Sequence, residues 1–172
     1  IGKGTALVTT LDDDAPPVVS VSDAVVTEGN DGTTTVSVEF SLSKVSTGTV
    51  TVDYATAGVS ATEDVDYLGQ SGTVTFGPGA TLAYVDFTVI GDEVQEADET
   101  FAINLSNAGG ADIGNGEGLV TIVNDDRIPG LTIMASDALA SEEGADPGAF
   151  VVRRDIADGD LTVYLGLSGS AT

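Results

Sequence analysis

The 172 residues carry 28 acidic and 5 basic side chains, a formal net charge of -23, which sets the chain against nucleic acid and anionic membrane surfaces as partners. The sequence has neither Cys nor His, so disulfides, thiolate metal sites and the commonest general base are all excluded. No apolar run approaches the roughly 20 residues of a membrane-spanning helix, and a 41% apolar content that alternates with Thr and Ser points to folded β-structure, not to an acidic disordered tail.

Taken in order, the chain opens on a segment that returns later. Ile1-Gly-Lys-Gly-Thr-Ala-Leu-Val-Thr-Thr-Leu-Asp-Asp-Asp14 reappears without a gap as Ile113-Gly-Asn-Gly-Glu-Gly-Leu-Val-Thr-Ile-Val-Asn-Asp-Asp126, the self-similarity expected of tandem units. Val19-Ser-Val-Ser-Asp23 and Glu28-Gly29 return as Leu131-Thr-Ile133, Ser136-Asp137 and Glu143-Gly144, and Ser60-Ala-Thr62 returns as Ser170-Ala-Thr172. Residues 1–14 therefore read as the last strand of a preceding unit and 15–17 as a proline-stiffened linker. Residues 18–126 read as a complete unit, 127–130 as a second linker and 131–172 as the first strands of a following unit.

Within the complete unit the predicted strands are 18–26, 34–42, 49–54, 73–76, 82–90, 100–105 and 119–123. Period-two alternation carries the assignment. Val36, Val38, Phe40 and Leu42 share one face while Thr35, Ser37, Glu39 and Ser41 share the other. Gly77-Pro-Gly79 is a turn by its chemistry, and no apolar pattern recurs at helical spacing. The expectation is an all-β, seven-stranded antiparallel β-sandwich.

In such a sandwich successive loops fall at alternate poles. The loops after strands one, three and five hold Glu28 and Asp31; Glu63, Asp64 and Asp66; and the carboxylates between 92 and 99. Strand seven ends in Asn124-Asp125-Asp126. All are expected at one pole, against only Asp112 and Glu117 at the other. The densest part is Ile90-Gly-Asp-Glu-Val-Gln-Glu-Ala-Asp-Glu-Thr-Phe101. Carboxylates this close repel by roughly 1 kcal/mol per pair at about 4 Å even in water. A solvated rim tolerates that repulsion. A calcium site uses it, because Ca2+ gathers six to eight oxygen ligands.

Val26-Thr-Glu-Gly29, Val52-Asp-Tyr-Ala-Thr56, Asp66-Tyr67, Ser71-Gly-Thr-Val-Thr-Phe-Gly-Pro-Gly79, Glu96-Ala-Asp-Glu-Thr-Phe101, Leu105-Ser-Asn107 and the closing Val-Thr-Ile-Val-Asn-Asp-Asp126 together resemble a Calx-beta domain. The resemblance implies an immunoglobulin-like sandwich of Calx-beta type that binds Ca2+ at one pole. It also implies a ligand set of Glu28, Asp92, the Val94 carbonyl, Glu96, Glu99, Asp125 and Asp126. Gly58 and Gly91 stand where that pattern has acidic residues, Asn124 replaces the first of three terminal aspartates, and Glu63 and Asp64 are possible substitutes. A secreted or cell-surface array follows as the expected setting, with neighbouring Calx-beta units in the same or adjacent chains as partners. Ca2+ would rigidify the junction between units. The alternative is a filament in which incomplete terminal units of adjacent subunits complete one another with little or no metal.

Catalysis is not expected. Paired carboxylates can serve glycoside hydrolysis, but that chemistry needs an aromatic-lined cleft, and the chain has no Trp. Asp53 and Asp86 read as outward-facing strand charges, Gly109 to Gly116 as a flexible turn, and Arg153-Arg154 as a strand surface.

Overall fold

Alternation decides what goes inside. In β3 (Thr33–Leu42) the residues Val36, Val38, Phe40 and Leu42 are buried and their neighbours face outward; in β4 (Val50–Gly58) Val50, Val52 and Tyr54 are buried. The computed structural model describes residues 15–138, 148–155, 160–166 and 168. The strand expected at 1–14 and the repeat residues Glu143, Gly144 and Ser170 to Thr172 lie outside them. The chain divides into two compact units between Asp126 and Arg127.

The first unit is a two-sheet sandwich. Its strands are β1 (Val18–Val21), β2 (Ala24–Thr27), β3, β4, β5 (Ser71–Phe76), β6 (Leu82–Ile90), β7 (Glu99–Gly109), β8 (Asp112–Ile113) and β9 (Glu117–Val123). One sheet has the order β6-β3-β1-β8 and the other β2-β9-β7-β4-β5. The single first strand expected over 18–26 is two strands in different sheets. The Ser22 amide donates to the Glu39 carbonyl of β3 at 3.0 Å, whereas the Asp23 carboxylate accepts the Leu119 amide of β9 at 2.8 Å. Those two consecutive residues hand the chain from one sheet to the other. The inward positions shift with it, from Val19 and Val21 to Ala24 and Val26, and Val25 turns out to solvent. The sheets are consequently not wholly antiparallel: β1 runs parallel to β8, and β2 to β9.

Strand register gathers one end of every loop that matters. Thr33 pairs with Ile90, Gly58 with Phe101, Glu99 with Ile122 and Thr27 with Val123. The segments 28–32, 59–70, 91–98 and 124–126 therefore emerge together. Beneath them the core ends in a run of aromatic rings. Phe40 packs on Tyr54, Tyr54 on Phe87 and Phe87 on Phe101, and Phe101 stacks on Tyr67 with ring centroids 4.3 Å apart. Tyr67 is fully buried although it comes from a loop. Each buried ring stabilises the fold by about 1.5–3 kcal/mol, with roughly 0.5–1.5 kcal/mol more for each well-oriented pair.

In the second unit, β10 (Leu131–Asp137) and β11 (Ala149–Arg154) form a two-stranded antiparallel sheet. The Gly130 amide donates to Asp155 at 2.6 Å. Ile133 and Phe150 remain exposed at 59% and 61%.

Candidate metal centre

The segment 59–70 is folded around two anchors. The amides of Val59, Ser60 and Ala61 all approach the Thr100 carbonyl, at 3.2, 3.0 and 2.9 Å. Asp66 then closes a turn on itself. Its carboxylate accepts the Thr62 amide at 2.6 Å, its own amide donates to the Thr62 carbonyl at 2.9 Å, and its carbonyl accepts the Ile90 amide at 2.9 Å. Asp66 is thus fixed beside the start of the segment 91–98, with the buried Tyr67 behind it. The result is a buried aspartate whose carboxylate oxygen lies within 4.8 Å of one from Glu96 and one from Glu99. Two ligands of an ion at about 2.4 Å can stand no farther apart than roughly 4.8 Å, so these three carboxylates fit a single hard cation.

Glu28 stands beside the triad and Asp126 beside Glu28, only 6% and 7% exposed. Burial pushes the Glu28 carboxyl above its ordinary value. The Asn124 hydrogen bond opposes that shift, and repulsion from Asp92, Asp126 and Glu96 adds to it. Glu99 goes further, to about 7, first through burial and then through the hydrogen bond its protonated carboxyl donates to Asp66 and repulsion by Asp66, with Glu96 and Glu28 adding repulsion. A carboxyl held this high lacks a positive partner. Lys44 is the one basic side chain between residues 15 and 126, and it lies in the connection between β3 and β4, away from this pole. The donor set is all oxygen, in excess of negative charge and without an internal counter-ion, which is the chemistry of a calcium site.

Of the residues singled out from the sequence, Glu96 and Glu99 belong to the triad, Glu28 is its charged neighbour, and Asp92 and Asp126 are charged neighbours of Glu28. The Asp126 Oδ1 accepts from the Asn30 amide at 2.9 Å. Asp92 Oδ1 accepts the Val94 amide at 2.6 Å. Asp125 is exposed and accepts the Gly29 amide at 3.1 Å. The Val94 carbonyl accepts the Asn124 side-chain amide at 3.0 Å. Glu63 and Asp64 are not in the triad; Glu63 lies against Gly69 beside a shallow depression that Thr56 and Gln70 also line. Asp66 is the member that the ligand assignment omitted, although it sits in the acidic stretch after β4 and directly precedes Tyr67.

Gly58 and Gly91 are closed as well as neutral. A Cβ on Gly58 would stand 2.5 Å from the Ala61 carbonyl oxygen. One on Gly91 would overlap the Gly29 carbonyl oxygen and stand 2.8 Å from that of Glu28. Backbone occupies the space that a side chain would need at both positions.

The Calx-beta domain family model matches residues 12–126. Adhesion G-protein coupled receptor V1 of Danio rerio is 29% identical over 128 residues, which are 71% of this chain and 2% of the receptor. Sodium/calcium exchanger 1 of Canis lupus familiaris is 41% identical over 61 residues, 36% of this chain and 6% of the exchanger. The chain thus spans a small fraction of these relatives. Among solved structures, the calcium binding domain CBD12 of CALX1.1 superposes with a TM-score of 0.57 at 26% identity, covering 63% of this chain and 44% of that one. No helix among the described residues is long and apolar enough to cross a membrane.

Proposed function

The chain belongs to the Calx-beta domain family, and from that premise we propose that its first unit is a non-catalytic, calcium-binding structural module of a larger extracellular assembly. The observation that carries this reading is the convergence of Asp66, Glu96 and Glu99 within 4.8 Å in a stretch, residues 15–126, whose only basic side chain is Lys44. These three would hold the ion, with Glu28, Asp92 and Asp126 completing the negative surroundings. Bound calcium supplies the positive charge that this pole lacks. Carboxylates from segments 59–70 and 91–98, with β7, are then drawn to one point beside the residues that leave β9. The chain leaving Asp126 is held more firmly, and the proline-containing stretch 127–130 transmits that stiffness to neighbouring units.

Extracellular modules often bind calcium at roughly 0.1–1 mM, so about 1 mM calcium adds only about 0.4–1.4 kcal/mol per ion. That suits a strut in a calcium-replete medium better than a cytosolic sensor. An adhesion receptor among the relatives is consistent with such a setting. The test is calorimetric titration of calcium into the chelator-treated full chain, with Glu96→Gln/Glu99→Gln as control. Saturable binding and a rise in Tm, both lost in the control, are expected. Neither heat nor a Tm shift at several millimolar calcium would overturn the reading.

A further inference from the structure

The acidic pole has two unlike halves. On one side Asp66, Glu96 and Glu99 turn carboxylate oxygens toward one another. On the other, neutral amides stand among the charges: Asn30 bonds Asp126, and Asn124 bonds Glu28. The Asn124 Nδ2 donates to Glu28 Oε1 at 2.8 Å and to the Val94 carbonyl at 3.0 Å, so both amide hydrogens are used on oxygens of two different segments. The Asn124 backbone amide adds a third link, to Asp98 at 3.2 Å. Around it the backbone is already shut. The Glu28 amide donates to the Val123 carbonyl at 3.2 Å, Thr34 Oγ1 donates to the Glu28 carbonyl at 2.8 Å, and Gly91 packs against the backbone of Glu28 and Gly29.

We propose that Asn124 is a positioning residue that takes the place of a cation on the Glu28 side of the pole, joining segments 28–32 and 91–98 without metal and confining bound calcium to the Asp66, Glu96 and Glu99 side. The physical reasoning is that an amide NH2 presents two partial positive charges with fixed directions, and hydrogen bonds to an ionised acceptor are the stronger kind. Placed between a buried carboxylate and a carbonyl, it meets the same two oxygens that a cation there would draw together. Glu28 thereby keeps its place when calcium is absent, and an ion arriving at the triad meets one wall of its site already in position.

The inference rests on the calcium reading for where the ion goes, but Asn124 can be tested apart from it. Asn124→Asp keeps the shape and replaces the donating NH2 with a carboxylate oxygen facing both Glu28 and Val94. Asn124→Ala removes the donors and adds no charge. In the full chain, Tm is measured in chelator and in several millimolar calcium, and bound calcium per chain is counted by calorimetry. Both variants are expected to melt below the parent in chelator. Only Asn124→Asp is expected to bind one calcium more than the parent and to gain more in Tm from calcium than either other protein. A purely structural asparagine would lower both melting points without adding an ion. Equal calcium stoichiometry in Asn124→Asp and the parent overturns the proposal. A parent that binds no calcium overturns the calcium reading, while an ion appearing in Asn124→Asp alone still supports the role given to Asn124.

Discussion

Asp53 and Glu99 belong to the same five-stranded sheet, yet their surroundings treat negative charge in opposite ways. On the outer face, Asp53 accepts from the Thr73 hydroxyl at 2.6 Å and the Asn107 amide at 3.1 Å, and these donors hold its carboxyl below the ordinary range. At the pole, Glu99 meets burial and three other acids, and its carboxyl rises to about 7. The outer face has made its charge comfortable with neutral donors and needs nothing further. The pole has spent the amides of Asn124 and Asn30 on Glu28 and Asp126 and leaves the triad to a proton or a cation. Acidic residues alone do not distinguish the two regions; the donors within reach do.

The largest effect that can test this contrast comes from the core. Phe101 and Phe76 are both buried, and Phe→Ala at either should cost about 3–5 kcal/mol. Their positions differ. Phe101 stacks on Tyr67, which follows Asp66, and it lies two residues beyond Glu99 on β7, whereas Phe76 ends β5 at the Gly77-Pro-Gly79 turn. Phe101→Ala is therefore expected to lose the stability increment from calcium as well, and Phe76→Ala to keep it. Urea denaturation with and without calcium measures both. Equal increments in the two variants would mean that the pole is not mounted on the aromatic stack.

Much of this was legible in the sequence, and the failures have physical causes. Period-two alternation found β3, β6 and β9 because each has one buried face. It could not find the switch at Ser22 and Asp23, because two residues leave no period, and the sign was instead a side-chain carboxylate taking a backbone donor of β9. Parity grouped the acidic loops correctly as segments, but it could not say which carboxylates converge. That depends on Asp66 being held by the Thr62 amide and the Ile90 amide, which are contacts within and between loops. Tyr67 escaped as a core residue for the same reason: it sits in a segment with polar neighbours. Asn124 was legible as a change of residue type; that its amide faces Glu28 and Val94 was not.

A smaller effect separates the poles through glycine. A Cβ at Gly91 meets backbone oxygens of Gly29 and Glu28, which cannot swing away as a side chain could. Gly91→Ala should cost about 1–3 kcal/mol by overpacking and should weaken calcium binding by moving segment 91–98. At the far turn, a Cβ on Gly77 meets nothing within 4 Å, and Gly77→Ala should change stability by less than about 0.5 kcal/mol. Denaturation midpoints of the two variants give the comparison directly, and a neutral Gly91→Ala would show that the loop yields.

The smallest effect is the dependence on pH, reduced because water reaches the pole and screens it. Its sign is opposite for the two carboxylates. Glu99 has a native value raised from 4.5 to about 7, so between those values the native state binds more protons than the unfolded chain, and stability falls as pH rises. In calcium-free buffer the protein should lose stability from about pH 5 to about pH 8. Glu99→Gln should flatten that slope. Calcium should restore stability most at the alkaline end, where no proton competes for the site. Asp53 is lowered from 3.8; its contribution is complete above that value and is lost only as pH falls below it. Asp53→Asn should leave the slope between pH 5 and pH 8 intact and reduce the loss of stability in stronger acid. A calcium-free stability curve that Glu99→Gln leaves unchanged and Asp53→Asn flattens would reverse the assignment of which region carries the strained charge.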